Sequence, residues 1–431
     1  MEADRNFETV IVGGGLAGLI CGAYLAREGR EVTVFESGSQ PGGRAQTAVD
    51  DDEFHFNLGP HALYDSDALA ESLDALEIDY SGGPPDGEMF GLHGEAVEAL
   101  PEGPLSLFNT DLLGAVSKFK FFSFMWKLQT AKPSDLPAGM SAADWLQTEV
   151  PDADLRAVAE AFARLATYAA DLQRMPAGIM LDALSSALDG VTYVDGGWQH
   201  IVDQLARILR QAGGELETET PVQRVEWKGP EEATVHLRGG PAVTARNVVL
   251  AVPPKQARGL VGSALAEKAG IPAEPTPVHA SCLDLAFRKL PHPRRSLALG
   301  IDRPIYISDH GPFADLAPDD GTVVHAAKYL ETGESTGSDE LRGEIESALD
   351  TFQPGWRKHL VNQRFLSRMT VVSHMPDAEK RGYESRPQAD VSDVDGLYLA
   401  GDWVGSRGWL SNASAASATA VARAICSDLA E

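Results

Sequence analysis

Three cysteines in 431 residues, Cys21, Cys282 and Cys426, leave no disulfide framework and show no metal-ligand spacing. That scarcity fits a reducing compartment, so the expected location is cytoplasmic. Basic residues are also few: 36 Lys and Arg stand against 63 Asp and Glu, a formal net charge of −27. Nucleic acid is excluded as an expected partner, because phosphate backbones are held by Lys and Arg. The same acidity suits a salty environment or plain solubility. No apolar run approaches the length of a membrane-spanning helix, and residues 1–7 carry no signal-peptide pattern. No Ser-His-Asp order, paired carboxylates, internal repeat or low-complexity segment stands out. What remains is an ordinary globular composition, 43% hydrophobic and 23% charged, long enough for two domains.

The densest signal lies near the start. Thr9-Val10-Ile11-Val12 is a β-branched run that ends in Gly13-Gly14-Gly15 and passes into a helix-forming segment reaching about Arg27. Gly13, Gly15 and Gly18 keep the G-x-G-x-x-G spacing of a strand–turn–helix that binds a dinucleotide. Gly13 makes the turn, Gly15 lets backbone approach a pyrophosphate, and Gly18 lets helix pack on strand. The helix N-terminus directs free N–H groups and partial positive charge at the phosphates. A second strand, residues 31–35, ends at Glu36, 23 residues after Gly13, where an acid accepts ribose hydroxyl hydrogen bonds. Gln40-Pro41-Gly42-Gly43-Arg44 then places an arginine within reach of a pyrophosphate. Each piece alone has a plainer reading as a packing turn or a solvated strand end. In this order they point to dinucleotide binding.

Residues 47–49 and 54–58 read as a strand pair that runs into the reversal Gly59-Pro60-His61. Residues 65–190 read as mostly helical. Within them, 112–132 holds no acids, four lysines and five aromatics: Phe119, Phe121, Phe122, Phe124 and Trp126. On a helix its apolar residues cover most of the circumference, and Lys120 with Lys127 form a narrow polar stripe. One reading is a buried helix with snorkelling lysines. The other is a greasy entrance that docks on a membrane surface or admits an apolar substrate. Residues 193–198 open a helix ending near Gly213-Gly214, and strands follow at 215–218, 222–227, 233–237 and 243–252. From 255 to 372 strand and helix signals mix, with strong alternation at 281–287 and 322–329. Lys328 and Tyr329 read as core edge, with a place in a substrate cavity as the sharper alternative.

Near the other end, Leu397-Tyr398-Leu399-Ala400-Gly401-Asp402 is a strand ending in Gly-Asp, followed by a small-residue helix over 410–429. A carboxylate at a strand's carboxyl end lies where ligands bind in open α/β sheets. Taken alone, this is a terminal core helix with Asp402 as a cap. Together, GGGLAGL, Glu36, PGGR and LYLAGDWVGSRGWLSNASAASATA resemble the flavin-containing amine oxidase superfamily, with its phytoene desaturase-like and protoporphyrinogen oxidase-like enzymes. The resemblance covers both ends well and the middle weakly, through residues 193–199 and Thr220-Pro221-Val222. It implies an α/β fold, a discontinuous Rossmann-type FAD-binding domain (1–65, 193–255 and 378–431) with an inserted α+β substrate domain. The insertions are 66–192, giving helices, and 256–377, giving a sheet.

The same resemblance implies FAD as cofactor and no metal. Gly13, Gly15, Ala17, Gly18, Glu36, Gly43 and Arg44 would hold its adenosine and pyrophosphate, and Val222 would meet adenine through backbone. Gly401 and Asp402 would take the ribityl chain. Trp409 and Leu410 would lie beside the ring at a helix N-terminus that favours the anionic reduced flavin, and Gly59, Pro60 and His61 would pass close by. The departures set the expected chemistry. Amine oxidases carry a lysine linked through water to flavin N5, and the matching strand, His279-Ala280-Ser281-Cys282-Leu283, has none. They also frame the amine with two aromatics; Trp409 matches one, and no second stands out. The cysteine that tethers flavin in monoamine oxidases has no counterpart near 373–376, so the FAD is expected to be non-covalent.

The expected function is therefore an FAD-dependent oxidoreductase that removes hydride from an apolar small molecule, as a desaturase or dehydrogenase of polyene or isoprenoid type. Amine oxidation is the alternative within the class. A redox-neutral flavin-dependent isomerase, or a flavin-binding protein without turnover, is the alternative outside it. No catalytic residue is assigned; His61 and Trp409 are the candidates, and His61 reads more simply as a turn histidine satisfying backbone. Beyond the substrate, the second reading of 112–132 adds a membrane surface, touched peripherally, as a partner.

Overall fold

Val10, Ile11, Val12, Val32, Val34 and Phe35 are all buried, as short β-branched runs require when a strand is covered on both faces. In the computed structural model, which describes residues 6–100, 115–229, 232–319, 321–380 and 382–428, these runs sit at the centre of a seven-stranded sheet. Its order is Glu215–Glu217, Val32–Phe35, Asn6–Val12, Ala242–Leu250, Glu232–Leu237 and Val222–Gly229, with Leu397–Leu399 also paired to Ala242–Leu250. The pairs from Glu215–Glu217 through Ala242–Leu250 and on to Leu397–Leu399 are parallel; the last two strands return antiparallel. One face is covered by the helices Leu16–Arg27, Gln199–Gln211, Ala68–Ala75 and Ser411–Asp428. The other face buries Trp403, Val404 and Leu260.

A second seven-stranded sheet has the order Leu360–Val372, Val278–Phe287, Thr322–Leu330, Ile305–Asp309, Leu297–Gly300, Met89–His93 and Ala96–Ala99. A layer of helices, Ala115–Thr130, Ala142–Glu149, Ala153–Thr167 and Ala177–Leu188, shares one apolar core with it. Here the structure corrects the sequence reading. The stretch read as mostly helical also lends two strands to this sheet, Met89–His93 and Ala96–Ala99. Both are short and one contains Gly91, so their pairing comes from neighbours rather than from alternation. The 13-residue strand Leu360–Val372 was likewise unmarked, because Asn362, Gln363, Arg364, Ser367 and Arg368 break its apolar pattern.

Of the lysine-rich segment, 112–114 fall outside the described residues and the rest forms the helix Ala115–Thr130. Phe121, Phe124 and Leu128 are buried beside Trp145 and Leu146. Lys120 and Lys127 reach Asp152 at 3.2 Å and Glu149 at 2.6 Å, so the polar stripe is neutralised by acids on neighbouring segments. Trp126 stays 65% exposed. Among the described residues, no helix is long and apolar enough to cross a membrane.

Candidate functional site

Register brings the site together. Val12 lies opposite both Phe35 and Leu250, and Leu250 opposite Leu399, so Gly13, Glu36 and the segment after Leu399 leave the sheet along one edge. Gly13 takes a φ of +108°, and a Cβ there would stand 2.6 Å from the carbonyl oxygen of Ala251. A Cβ on Gly18 would run into the carbonyl oxygen of Gly13, which is why helix and strand pack so closely. Around Gly15 the space is open, and no side chain caps the helix that starts there. Ala17 is buried in the core beneath this helix.

Glu36 closes one end of the edge. Its Oε2 accepts the Gly14 N–H at 2.7 Å and its Oε1 the Gly38 N–H at 2.6 Å. The backbone of Thr220 and Glu219 donates to the carbonyls of Glu36 and Gly38 at 2.8 and 2.9 Å, which brings the start of the Val222 strand alongside. Gly43 backs onto Gly15, since the Gly42 N–H donates to the Gly14 carbonyl at 2.7 Å. Arg44 then spans to the far end of the chain. Its Nη1 donates to Asp402 Oδ2 at 2.7 Å and to the Val371 carbonyl at 2.6 Å.

Asp402 is 2% exposed. Burial pushes its carboxyl up, but the Arg44 guanidinium and the Ser373 N–H outweigh this and hold it below the ordinary carboxylate range. One oxygen is satisfied by those two groups. The other, Oδ1, is buried with no partner among the described residues. Gly401 beside it has a φ of +147° and donates its N–H to Ser417 Oγ at 2.9 Å.

Downstream, Leu410 adopts a left-handed φ of +54° just before the helix Ser411–Asp428. A branched residue held there costs of order 1 kcal/mol, and such strain collects at ligand sites. The Trp409 indole donates to the Thr167 carbonyl at 2.9 Å in a buried setting. His61 places its two ring nitrogens 3.0 Å from the carbonyls of Gly59 and Arg44, edge-on to Trp198. Both catalytic candidates are thus engaged with backbone. Gly59 faces the second sheet, where a Cβ would meet Met369 Cε at 2.9 Å and Cys282 Sγ at 3.1 Å.

Of that facing surface the sequence disclosed only Tyr329, as the sharper alternative, and the strand of Cys282. Alternate residues of paired strands share a face, so Cys282, Asp284, His325, Ala327 and Tyr329 lie together. Tyr329 packs edge-on against Tyr168, whose hydroxyl donates to the Pro60 carbonyl. Asp284 Oδ1 lies 2.6 Å from His325 Nδ1, and Arg364 Nη2 donates to Asp284 Oδ2 at 2.7 Å and to the Asn57 carbonyl. His310 packs edge-on to His325 and stacks on Tyr193 at 3.7 Å. The one available signal was a lone charge or histidine inside an apolar strand. Lys328 points the opposite way, bonded to Glu334 at 2.9 Å and Glu344 at 2.8 Å.

The fold has solved counterparts. An oxidoreductase from Methanosarcina mazei superposes with a TM-score of 0.77 at 20% identity, covering 96% of this chain and all of its own. Cyclohexylamine oxidase from Brevibacterium oxydans gives 0.73 at 16% identity, covering 99% and 100%. A curated relative, a neurosporene-forming phytoene desaturase of Rhodobacter capsulatus, is 26% identical over 271 residues, 56% of this chain. The chain spans about half the length of the curated relatives it matches, 51% in that case. The model of the flavin containing amine oxidoreductase family matches residues 16–426, and the chain belongs to that family. Membership implies a flavin cofactor.

Proposed function

We propose that this protein is an FAD-dependent oxidoreductase that removes hydride from an apolar small molecule, a polyene or isoprenoid in the manner of a desaturase. The sheet bearing Gly13 would be a Rossmann-type FAD-binding domain assembled from 1–65, 193–255 and 378–431, with 66–192 and 256–377 as the inserted substrate domain. The residues fit FAD held without a covalent bond. Gly15 leaves room for a pyrophosphate where the close-packed Gly13 and Gly18 shape the turn and Gly43 backs it, and Glu36 and the Val222 strand suit adenosine. The unpartnered Asp402 Oδ1 is an acceptor waiting for a hydroxyl. When bound, the flavin supplies the hydride-accepting chemistry. The chain's own residues orient the substrate, exclude water and keep the pocket apolar.

The observation that favours an apolar substrate is the face opposite Gly59. It presents Cys282, Ala327 and Tyr329 beside the buried Asp284–His325 pair, whose polar groups are turned on each other, while the lysine of the neighbouring strand, Lys328, turns away into an acidic pair. The likeness to a phytoene desaturase agrees with this reading; the likeness to cyclohexylamine oxidase keeps amine oxidation as the second one. Exposed Trp126 would touch a membrane surface where such substrates dissolve, from a cytoplasmic location. The test is an anaerobic titration of the purified yellow protein with detergent-dispersed polyenes or isoprenoids, and in parallel with primary and secondary amines. Bleaching of the flavin band by the first panel alone is expected. Bleaching by amines alone would transfer the assignment to amine oxidation, and reduction by neither would favour the redox-neutral reading.

A further inference from the structure

Arg386 is 2% exposed, yet only one of its five N–H groups has a described acceptor: Nη1 donates to the Gly408 carbonyl at 3.0 Å. Nε and Nη2 are buried without partners among the described residues. The guanidinium carbon sits 5.4 Å over the Trp409 ring and 5.0 Å over the Tyr383 ring. These faces attract a cation but do not satisfy its N–H groups. The carboxylate that acts on it electrostatically, Asp402, is already bonded to Arg44 and Ser373. A desolvated cation with free donors is costly unless something electron-rich meets it. A small cleft lined by Tyr383, Trp409 and Leu410, and on its other side by Asp67 and Asp182, opens beside the two rings.

We infer that Arg386 is a positioning and electrostatic residue for the bound flavin, set to stabilise the negative charge the ring gains on reduction. This rests on the flavin reading above and deepens it. A fixed cation in a water-poor site stabilises a nearby developing anion more than it would in water. The residue lies against Trp409, assigned to the ring, and feels the charge of Asp402, assigned to the ribityl chain. Its charge adds to the partial positive charge at the start of the helix Ser411–Asp428.

The test compares Arg386→Met, Arg386→Gln and Arg386→Lys as flavin-loaded proteins by two readouts that need no substrate. These are sulfite affinity, because the sulfite adduct of flavin is anionic, and the two-electron midpoint potential. Loss of the charge should weaken sulfite binding by about tenfold, equivalent to a potential about 30 mV lower, and the lysine variant should recover most of it. If Met at this position prevents folding, the Gln and Lys pair carries the comparison. Equal values in the neutral variants and the parent, or a lysine variant as impaired as the neutral ones, would overturn the inference while leaving the flavin assignment intact. A parent protein that takes up no flavin would instead remove the reading on which it rests.

Discussion

The edge of the first sheet meets the second where Arg44 and Asp402 bond Val371 and Ser373, and the two sheets are built in different ways. Along the edge of the first sheet, the proposed recognition rests largely on backbone: the open approach at Gly15, the uncapped start of Leu16–Arg27, and the Gly14 and Gly38 N–H groups that fix Glu36. The second sheet presents side chains, Cys282, Asp284, His325 and Tyr329, aligned by pairing between strands more than forty residues apart. A backbone cradle needs glycines at set spacings. A side-chain face needs only the right residue on the right rung.

That contrast is open to direct attack, and the largest effect belongs to Gly18. Gly18→Val should cost about 3 kcal/mol or more, because its Cβ has no room against the Gly13 carbonyl. The variant should express poorly or melt far below the parent in a thermal scan. Gly15→Ala is its counterpart: with open space and an ordinary φ, it should shift the flavin-free melting point by less than about 0.5 kcal/mol equivalent and yet weaken flavin retention. Equal destabilisation by both would dissolve the distinction between a packing glycine and a ligand glycine.

In the second sheet, Asp284→Ala leaves buried His325 and half-buried Arg364 without their carboxylate. A loss of about 2–3 kcal/mol is expected from chemical denaturation, the arginine's partial exposure reducing the full cost of breaking a buried pair. A smaller effect follows from Asp309, whose carboxyl burial pushes up to about 6, with bonds from Thr322 and Gly311 acting against the shift. The folded protein then holds a proton between about pH 6 and 4 that the unfolded chain releases, so ionised Asp309 destabilises the fold above that window. Asp309→Asn should therefore be more stable than the parent by about 1–3 kcal/mol at pH 8, and the gap should close as pH falls from 6 to 4. A gap that is constant with pH would contradict the assigned ionisation. The smallest change is Trp126→Ser, which should move stability by less than about 0.5 kcal/mol. It should lower vesicle association if the exposed indole docks on a membrane, and unchanged association would remove that role from the helix.

How much was legible in the sequence follows the same division. The strand ends at Val12 and Phe35, the turn at Gly13 and the Gly-Asp step at 401–402 were readable because each is a local pattern whose geometry is dictated by its own residues. The Arg44–Asp402 pair was not: two residues separated by nearly the whole chain were assigned to different parts of a ligand, and register placed them in contact. Met89–His93 and Ala96–Ala99 were hidden because short strands take their structure from neighbours. Arg386 carried no local sign, since a lone Arg-Pro in a polar stretch resembles a solvated turn until burial shows otherwise.

The central claim is that the edge carrying Gly15, Glu36 and Asp402 holds a flavin. Asp402→Asn tests it most directly: with the amide oxygen kept on Arg44 and Ser373, a donor NH2 replaces the free acceptor Oδ1 at unchanged shape. The measurement is the flavin dissociation constant by fluorescence, paired with the melting point of the flavin-free protein. A constant weakened by about tenfold or more, with a flavin-free melting point within a few degrees of the parent, is the predicted result. Unchanged flavin affinity in the variant, or a parent that binds no flavin at all, would contradict it.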